Sequence, residues 1–486
     1  MKLTERVRDM IQHWLRIQPA PERSITIRET TSFETNCIRN RIWYRGDASE
    51  IEQLFKAIQE DSVGRARFWA ATPESESIRK AHSGLPALMV DTLSGMVKSD
   101  MSDVSFAGST PEHWNEIAQD IDLPNLVGDA VSGVLSMGDG AFKISIDTEV
   151  SATPIVEFWT ADRVSYLRQH GRMRGIVFKS ETQVGNKHYR LEETYQKGSV
   201  TYALFDGDKE VPLATVPEFA EYQPVVYQGD FMMALPLFVY ESQKYKGRGR
   251  SLFDSKTDAF DAFDEVISQW IDAMRAGRVK NYIPEDMLPR DGNGKLMSVN
   301  SFGTNFIQVG TSNKENATDK IETIQPDICY DALLQSYCTT LDLCLQGIMS
   351  PATLGIDVGK MASADAQREK KDITGFTRNA ITDALEKVLP QLICAVLQVY
   401  DTMQKQDAGA YEPNVTFGEY GAPDFKSRVD TICTAAGASV MSIETQVDEL
   451  WGASKDEKWK EAEVLRLKNE RGIAILDEPA MGADAL

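Results

Sequence analysis

Hydrophobic residues recur along this chain with two different periods. Residues 1–19, 35–45, 47–58, 82–99 and 114–136 carry an apolar residue at every third or fourth position, which is the spacing of one helix face. Between residues 140 and 205, apolar and polar residues alternate in short runs separated by Gly, Asp or Asn, as in strands joined by turns. The first half therefore predicts amphipathic helices followed by a meandering antiparallel sheet.

The first predicted helix carries its apolar residues on one side: Val7, Met10, Ile11, Trp14 and Leu15. Its basic residues are scattered among the apolar ones and do not precede an uninterrupted apolar block, so it is not a secretion signal. The longest apolar run of the chain, residues 231–240, is too short to span a bilayer. We expect a soluble protein with no membrane partner.

The centre of the chain combines long helices with a compact insert. A helical pattern over residues 251–276 is followed by a stretch rich in Gly, Pro and Asn, and a second helical pattern ends at residue 346. A glycine-punctuated loop, residues 347–361, leads into a long helix at residues 362–403 that contains Pro390. A strand and further charged helices follow. The pattern as a whole predicts an α+β fold that is predominantly helical.

The connection into the first central helix is rich in glycine and in positive charge. Lys246, Arg248 and Arg250 alternate with Gly247 and Gly249. Because glycine leaves the backbone free to adopt many conformations, this pattern predicts a flexible, cationic connection.

Acidic residues follow one side of the first central helix. Asp254, Asp258, Asp261 and Glu265 are spaced so that they share one side of an α-helix. Residues 251–273 contain six acidic residues and one basic residue. Such a stripe is either a solvated face or, if copies of the helix surround a polyanion, a repulsive lining.

The charge changes sign after this helix. Residues 274–300 hold five basic and three acidic residues. The basic ones are Arg275, Arg278, Lys280, Arg290 and Lys295. The insert is therefore weakly cationic where the preceding helix is acidic.

Length and composition limit the class of protein. The 486 residues are enough for two or more cores, and a composition of 42% hydrophobic and 26% charged residues is that of a folded globular chain. The net charge of -21 argues against a free-standing nucleic-acid-binding protein, because such proteins present a basic surface to phosphate. The net charge is still compatible with a protein along which DNA moves without being tightly bound.

Motifs for enzyme chemistry are not found in the sequence. The loop at residues 355–361 has three residues between its glycines and Met361 after Lys360, whereas a phosphate-binding P-loop needs four residues and then Ser or Thr. The five histidines are scattered, and the six cysteines contain no C-x-x-C pair and are expected to be core thiols of a reducing compartment. We therefore expect no catalytic residue, no cofactor, no metal and no enzymatic activity.

The order of these patterns resembles that of phage portal proteins of the SPP1-like group. Residues 40–46, Asn-Arg-Ile-Trp-Tyr-Arg-Gly followed by a helix, are similar to the aromatic opening of that family. The resemblance implies a portal fold with these parts: an N-terminal wing of helices and antiparallel sheet (1–250), a first stem helix (251–276), a clip (277–320), a second stem helix (321–346), a tunnel loop (347–361), a long helix and return strand of the wing (362–420) and a helical crown (421–486).

The resemblance also implies a ring, typically dodecameric, at one vertex of the virion capsid. Viral double-stranded DNA would be packaged and ejected through its channel without sequence-specific contacts. The clip would dock terminase during packaging and head-tail connector or adaptor proteins afterwards, and the wing would contact the major capsid and scaffolding proteins. Such a subunit is assembled in the host cytoplasm and is not an enzyme.

Within that fold, the acidic stripe would repel phosphate and keep DNA mobile. Lys360, and after it Arg368, are the candidates for cations that face the channel, with an ordinary surface position as the alternative. The five basic residues of the insert region are candidates for the partner surface of the clip, with plain intersubunit salt bridges as the alternative.

Two other functions stay open at this point. A DNA-packaging ATPase would need the P-loop that the sequence lacks. Another phage head protein, such as an adaptor or minor head protein, is usually shorter and lacks two long helices around an insert.

Overall fold

The computed structural model of the protein describes residues 31–59, 67–70, 78–227, 229–284, 292–293, 305–309, 322–356, 364–418, 425–438, 440–451 and 457–470. Within these residues the chain forms eleven α-helices and fourteen β-strands, which confirms the predicted α+β class. The chain divides into two compact units, residues 1–417 and 418–486. The amphipathic helix predicted at residues 1–19 lies outside the described residues.

The described helices of the first unit are α1 (Phe33–Arg45), α2 (Ala48–Gln59), α3 (Leu85–Ser99), α4 (Trp114–Asp120), α5 (Leu123–Met137), α6 (Thr257–Ala276), α7 (Tyr330–Leu345) and α8 (Ala364–Met403). Local sequence sets their ends. The Ser32 hydroxyl accepts the backbone N–H of Thr35 at the start of α1, and Gly46 ends the helix with a left-handed φ of 70°. α3 and α5 each have a proline in the first turn, where its missing N–H leaves no bond unmade.

The core of the first unit includes buried faces of α3, α5 and α8. α3 buries one face, which includes Met89 and Leu93, whereas α5 is buried along most of its length. The two helices approach closely at Gly128, whose carbonyl accepts a 2.7 Å hydrogen bond from the Ser94 hydroxyl. Each fully buried Leu or Met side chain contributes about 1.5–3 kcal/mol to the stability of such a core.

α8 is one helix of 40 residues that continues through Pro390. Its second half packs into the core through a face that includes Leu385, Leu389 and Leu392. Arg378, of which 4% of the side chain is exposed, pairs with Asp100 directly after α3 at 3.0 Å. At about 1.5 Å per residue the helix is roughly 60 Å long, so it extends well beyond the core that it helps to form.

The described strands are β1 (Ser105–Phe106), β2 (Asp139–Ser145), β3 (Ile155–Thr160), β4 (Val164–Gln169), β5 (Arg172–Val184), β6 (Lys187–Gln196), β7 (Ser199–Asp206), β8 (Lys209–Val211), β9 (Val225–Val226), β10 (Ala234–Phe238), β11 (Lys280–Pro284), β12 (Asn305–Val309), β13 (Glu322–Ile324) and β14 (Pro413–Asn414). The predicted meander is present but divided between two sheets. Strands β4 to β8 follow one another in an antiparallel sheet, with β9 beside β7, whereas β2 lies between β3 and β10 in another. A short 3-10 turn at Ala161–Arg163 carries the chain from one sheet to the other.

The glycine-rich connection before α6 is held more firmly than its sequence predicts, although Lys246 and Arg250 are exposed cations as expected. Asp139 is fully buried and accepts hydrogen bonds from the Arg248 guanidinium at 2.9 Å and from the Gly249 backbone N–H at 2.7 Å. The guanidinium also lies 3.9 Å from the ring centre of Phe33. Burial raises the pKa of Asp139, and the positive charge of Arg248 opposes that rise. The arginine is thus drawn inward by a buried carboxylate.

The second unit contains α9 (Phe425–Gly437), α10 (Ile443–Trp451) and α11 (Glu457–Glu470). The rings of Trp451 and Trp459 meet edge to face at 5.8 Å. Lys468 of α11 lies 2.5 Å from Glu444 of α10, and this hydrogen-bonded ion pair lowers the pKa of Glu444 to about 2. Aromatic and ionic contacts therefore join these two short helices.

The close approach of two glycines makes a first prediction. A Cβ on Gly249 would lie 2.0 Å from the carbonyl oxygen of Gly138. We expect Gly249→Ala to lower the free energy of unfolding by about 3 kcal/mol, the upper end of the usual cost of overpacking. Gly95→Ala, at an exposed position of α3 where an added Cβ meets no atom within 4 Å, is the matched control. Thermal unfolding followed by circular dichroism compares the two variants, and equal melting temperatures would contradict the tight contact.

Candidate functional site

The helices α6 and α7 lie side by side as an antiparallel pair. The ring centre of Trp270 is 6.1 Å from that of Tyr330 and 5.8 Å from that of Tyr337. Phe263, two turns earlier on α6, lies 5.3 Å from Tyr337. Trp270, near the end of α6, contacts Tyr330 at the start of α7, whereas the earlier Phe263 contacts Tyr337 further along α7. The two helices therefore run in opposite directions.

The insert between the two helices contains a small mixed sheet. Strand β11 lies in the middle, parallel to β12 and antiparallel to β13. Its base is narrow, because a Cβ on Gly277 would lie 2.4 Å from the Cδ1 atom of Ile328. The chain therefore leaves α6 and returns towards α7 at nearly the same point.

A buried carboxylate of α6 binds an irregular segment of the N-terminal part of the unit. Asp264 is fully buried and accepts hydrogen bonds from the Trp69 indole N–H at 3.1 Å and the Ser83 backbone N–H at 2.9 Å. The Nδ1 atom of His82 lies 2.7 Å from the same carboxylate. One turn later, the Ser268 hydroxyl accepts the backbone N–H of Ala81 at 3.0 Å.

Two further acidic residues of this region are bound within the chain. Asp261 accepts the backbone N–H groups of Phe68 and Trp69 at 3.1 and 3.2 Å, and burial raises its pKa against the lowering effect of these bonds. Asp254 accepts the side-chain amides of Asn36 at 2.8 Å and Asn40 at 2.9 Å. Both carboxylates therefore hold other segments against α6 or its N-terminal approach.

Asp254 and Asp261 are not freely solvated members of the four-residue acidic stripe, because each accepts hydrogen bonds from groups inside the unit, and whether the stripe lines a channel stays a prediction. Asp258 differs, since 73% of its side chain is exposed while it pairs with Arg67 at 2.8 Å. Glu265 is half-buried and accepts a hydrogen bond from Gln269 at 3.0 Å. The acidic surface of α6 therefore includes Asp258 and Glu265, and whether either faces DNA stays a prediction.

The basic candidates are described only in part. Arg275 is half-buried in the last turn of α6, and Arg278 is exposed just beyond it. Lys280 begins β11 and Arg368 lies in α8, but their side chains are outside the described part of the structure. The remaining candidates, Arg290, Lys295 and Lys360, also lie outside it. Their assignment to a channel or a partner surface stays a prediction.

Lys256 has a role that its sequence position did not indicate. Its ammonium group donates 2.8 Å hydrogen bonds to the carbonyls of Leu343 and Gln346 at the C-terminal end of α7. Those carbonyls have no partner within the helix, and a positive charge is favourable there. The one basic residue near the start of α6 therefore stabilises the end of its neighbour.

The described start of the loop after α7 is bound to α8. The Ser350 backbone N–H donates to the Thr374 hydroxyl at 2.9 Å, and the Thr377 hydroxyl donates to the Ile348 carbonyl at 2.6 Å. Gly355 follows with a left-handed φ of 72°. The loop predicted at residues 347–361 is therefore anchored over residues 348–350, and its last five residues lie outside the described range.

In the described ranges, no group of three or more His, Cys, Asp or Glu side chains is arranged to hold a metal ion. No helix among those residues is long and apolar enough to cross a membrane. The expectation of core thiols holds for Cys37 and Cys344, where burial raises the pKa of each thiol to about 12. It is wrong for Cys329 and Cys433, which are exposed.

Comparison with known proteins finds similar solved structures. A chain of the virion of a native gene transfer agent particle is 10% identical at a TM-score of 0.40, over 95% of this chain and 99% of that chain. A chain from the neck of an empty particle, computed with C6 symmetry, is 10% identical at a TM-score of 0.37, over 84% and 96%. A third, from the neck of the native particle computed with C12 symmetry, is 9% identical at 0.35, over 84% and 98%.

No family model and no curated protein matches the sequence.

The Asp264 contacts make a second prediction. Asp264→Ala leaves buried N–H groups of Trp69 and Ser83 without acceptors, and each such group costs about 1–3 kcal/mol. We expect the variant to lose stability to denaturant and to become open to tryptic cleavage at Arg67, Arg79 or Lys80. Asp258→Ala is the matched control, because an exposed ion pair contributes about 1 kcal/mol or less. Equal stability of the two variants would show that the Asp264 contacts do not hold the segment.

Proposed function

We propose that this chain is a portal subunit: copies form a ring at one vertex of a virion, and viral double-stranded DNA is packaged and ejected through it. The observation that carries the proposal is the antiparallel pair of α6 and α7 with a small sheet between them. Such a pair can line a channel while the insert projects at its end. The sequence resemblance to portal proteins supports the same assignment of stem and clip.

The way α6 is held supports a role as a wall. Asp254, Asp261, Asp264 and Ser268 bind groups from residues 36–40, 67–70 and 78–83. A helix fixed at several points along its length can resist the load of a moving polymer better than a helix joined at one end. The insert then stands at a constant position relative to the body, as a docking element for terminase and connector proteins requires.

The acidic charge of the chain supports a channel through which DNA slides. The chain carries a net charge of -21, and within the predicted stripe Asp258 is exposed and Glu265 is half-buried. At physiological ionic strength such charges act over about 8 Å, so they repel phosphates only near the wall. In this proposal Lys360 of the tunnel loop and Arg368 of α8 supply weak, salt-sensitive contacts with DNA, and Arg275, Arg278, Lys280, Arg290 and Lys295 belong to the partner surface of the clip.

The ring is tested by imaging the purified full chain. We expect annular particles with a central hole by negative-stain electron microscopy, because a wall element has a function only in a closed assembly. Native mass spectrometry on the same preparation counts the subunits. A species that stays monomeric or dimeric at every salt concentration would overturn the proposal and favour an adaptor or minor head protein.

A charge reversal tests the channel. In the double variant Asp258→Lys with Glu265→Lys, we expect rings to form and the amount of packaged DNA to fall roughly two- to tenfold, because lysines hold phosphate where carboxylates repel it. The same reversal at Glu210 and Glu221, both exposed and away from α6, is the matched control and should leave packaging unchanged. Equal DNA yields from the two double variants would show that this side of α6 does not face the channel.

A further inference from the structure

A groove of about 1390 Å³ runs along the second half of α8. One wall is the helix between Pro390 and Gln398, and the other includes the turn between β4 and β5. Met173, Phe231 and Leu235 give it an apolar lining. A second cavity of about 590 Å³ adjoins it at Phe231 and continues towards the end of α8.

The apolar surface continues around the second cavity. Val226 is 83% exposed, and Ile146 and Val225 beside the same cavity are 43% and 44% exposed. Contiguous exposed apolar surface of this kind marks a site that another chain segment or protein covers. The two cavities together therefore form a surface that lacks a partner among the described residues.

The size of the groove favours a peptide. Pockets for small molecules measure about 300–1,000 Å³, and the larger cavity exceeds that range on its own. An α-helix with side chains is about 10–12 Å across and binds such grooves through apolar residues on one face. The rim carries both signs of charge, with Arg172 and Lys197 on the sheet side and Glu412 near α8. Because neither sign dominates, we expect apolar contacts to determine which segment binds.

The end of the described chain lies near this groove. The Tyr245 hydroxyl donates a 3.1 Å hydrogen bond to the carbonyl of Thr31, the first described residue. Gly247, two residues after Tyr245, lies against the side chain of Arg168, since an added Cβ would be 3.4 Å from its Nε atom. Arg168 directly precedes Gln169 and His170, which line the groove. Thr31 is therefore connected to the sheet side of the groove through the contacts of Tyr245, Gly247 and Arg168.

The sequence supplies an occupant of matching size. Residues 1–18 carry a predicted apolar face that extends from Val7 to Leu15, which is about 12 Å along a helix. The wall of α8 between Pro390 and Gln398 has the same length of about 12 Å. The twelve residues from 19 to 30 can extend to about 40 Å, which is longer than the roughly 12 Å of the α8 wall.

We propose that residues 1–18 dock in this groove of their own chain, with Val7, Met10, Ile11, Trp14 and Leu15 against the apolar lining. A short tether gives the segment an effective concentration on the order of millimolar, so a modest contact suffices to keep it bound. The proposal is independent of ring formation, because the groove and the tether belong to one chain.

A cysteine of the groove reports on occupancy. Cys394 lines the groove and is half-buried, whereas Cys329 is exposed and lies on another part of the unit. Deletion of residues 1–18 should raise the rate at which iodoacetamide alkylates Cys394 about tenfold, the factor for a segment bound about nine-tenths of the time. The rate at Cys329 should stay the same. Burial raises the pKa of the Cys394 thiol, so both proteins are labelled at one pH and the products are quantified by mass spectrometry.

A full-length variant separates docking from the effects of truncation. Ile11→Asp with Trp14→Asp places charge on the predicted apolar face, and we expect Cys394 to be labelled as fast as in the truncated chain. Gln12→Asp with His13→Asp adds the same charge outside that face and is the matched control, which should be labelled like the wild type. Equal rates at Cys394 in all four proteins would overturn the proposal.

Protein concentration distinguishes the segment of the same chain from that of a neighbour. Protection of Cys394 that does not change with dilution supports docking within one chain, and protection that disappears on dilution would overturn it. Light scattering on the same samples reports the assembly state separately. A protein that forms no rings can therefore still show protection, and failure of either proposal is recognised independently of the other.

Discussion

Buried backbone N–H groups must find acceptors, and in this chain several of them find carboxylates of α6. Residues 67–70 and 78–83 do not lie in a strand or a helix, so they lack the regular backbone partners of such elements, although the Ala70 N–H donates to the Arg67 carbonyl at 3.1 Å. Asp261, Asp264 and Ser268 accept four of these groups. A buried carboxylate is costly without partners, so each side of this contact depends on the other. These hydrogen bonds therefore help to position α6, and with it α7 and the insert.

The same rule fixes the place where α6 begins. Asp139 orders Arg248 and Gly249 on the β2 side, and the Leu252 backbone N–H donates a 3.0 Å hydrogen bond to the Leu135 carbonyl at the end of α5. The Ser251 hydroxyl donates a second bond to the same region, to the Ser136 carbonyl at 2.5 Å. The approach to α6 is therefore tied to the core directly before the helix starts. A segment whose composition indicates mobility is therefore hydrogen-bonded to the core on both sides.

The periodicity of the sequence was sufficient to predict the class of fold, the central helices and the existence of an antiparallel meander, because these depend on local spacing. It could not predict what packs on each side of a helix. Asp258 and Asp261 have the same spacing signal, yet Asp258 is exposed whereas Asp261 binds residues about 190 positions earlier in the chain. The sequence likewise shows Lys256 only as a positive charge, whereas in the structure its ammonium group binds the end of α7. Long-range partners of this kind leave no local pattern, so the role of an individual charged residue was the least predictable property.

The narrow base of the insert has a consequence for how such a protein can change. Gly277 and Ile328 meet where the chain leaves α6 and comes back, so the sheet between them is joined to the body much as a surface loop is joined to a domain. The free energy of closing a loop between two fixed points depends only weakly on the length of the loop. Lineages could therefore exchange this segment for one of different size and sequence without repacking the α6–α7 pair. Specificity for an external partner would then evolve at a rate of its own, separate from the helices that carry it.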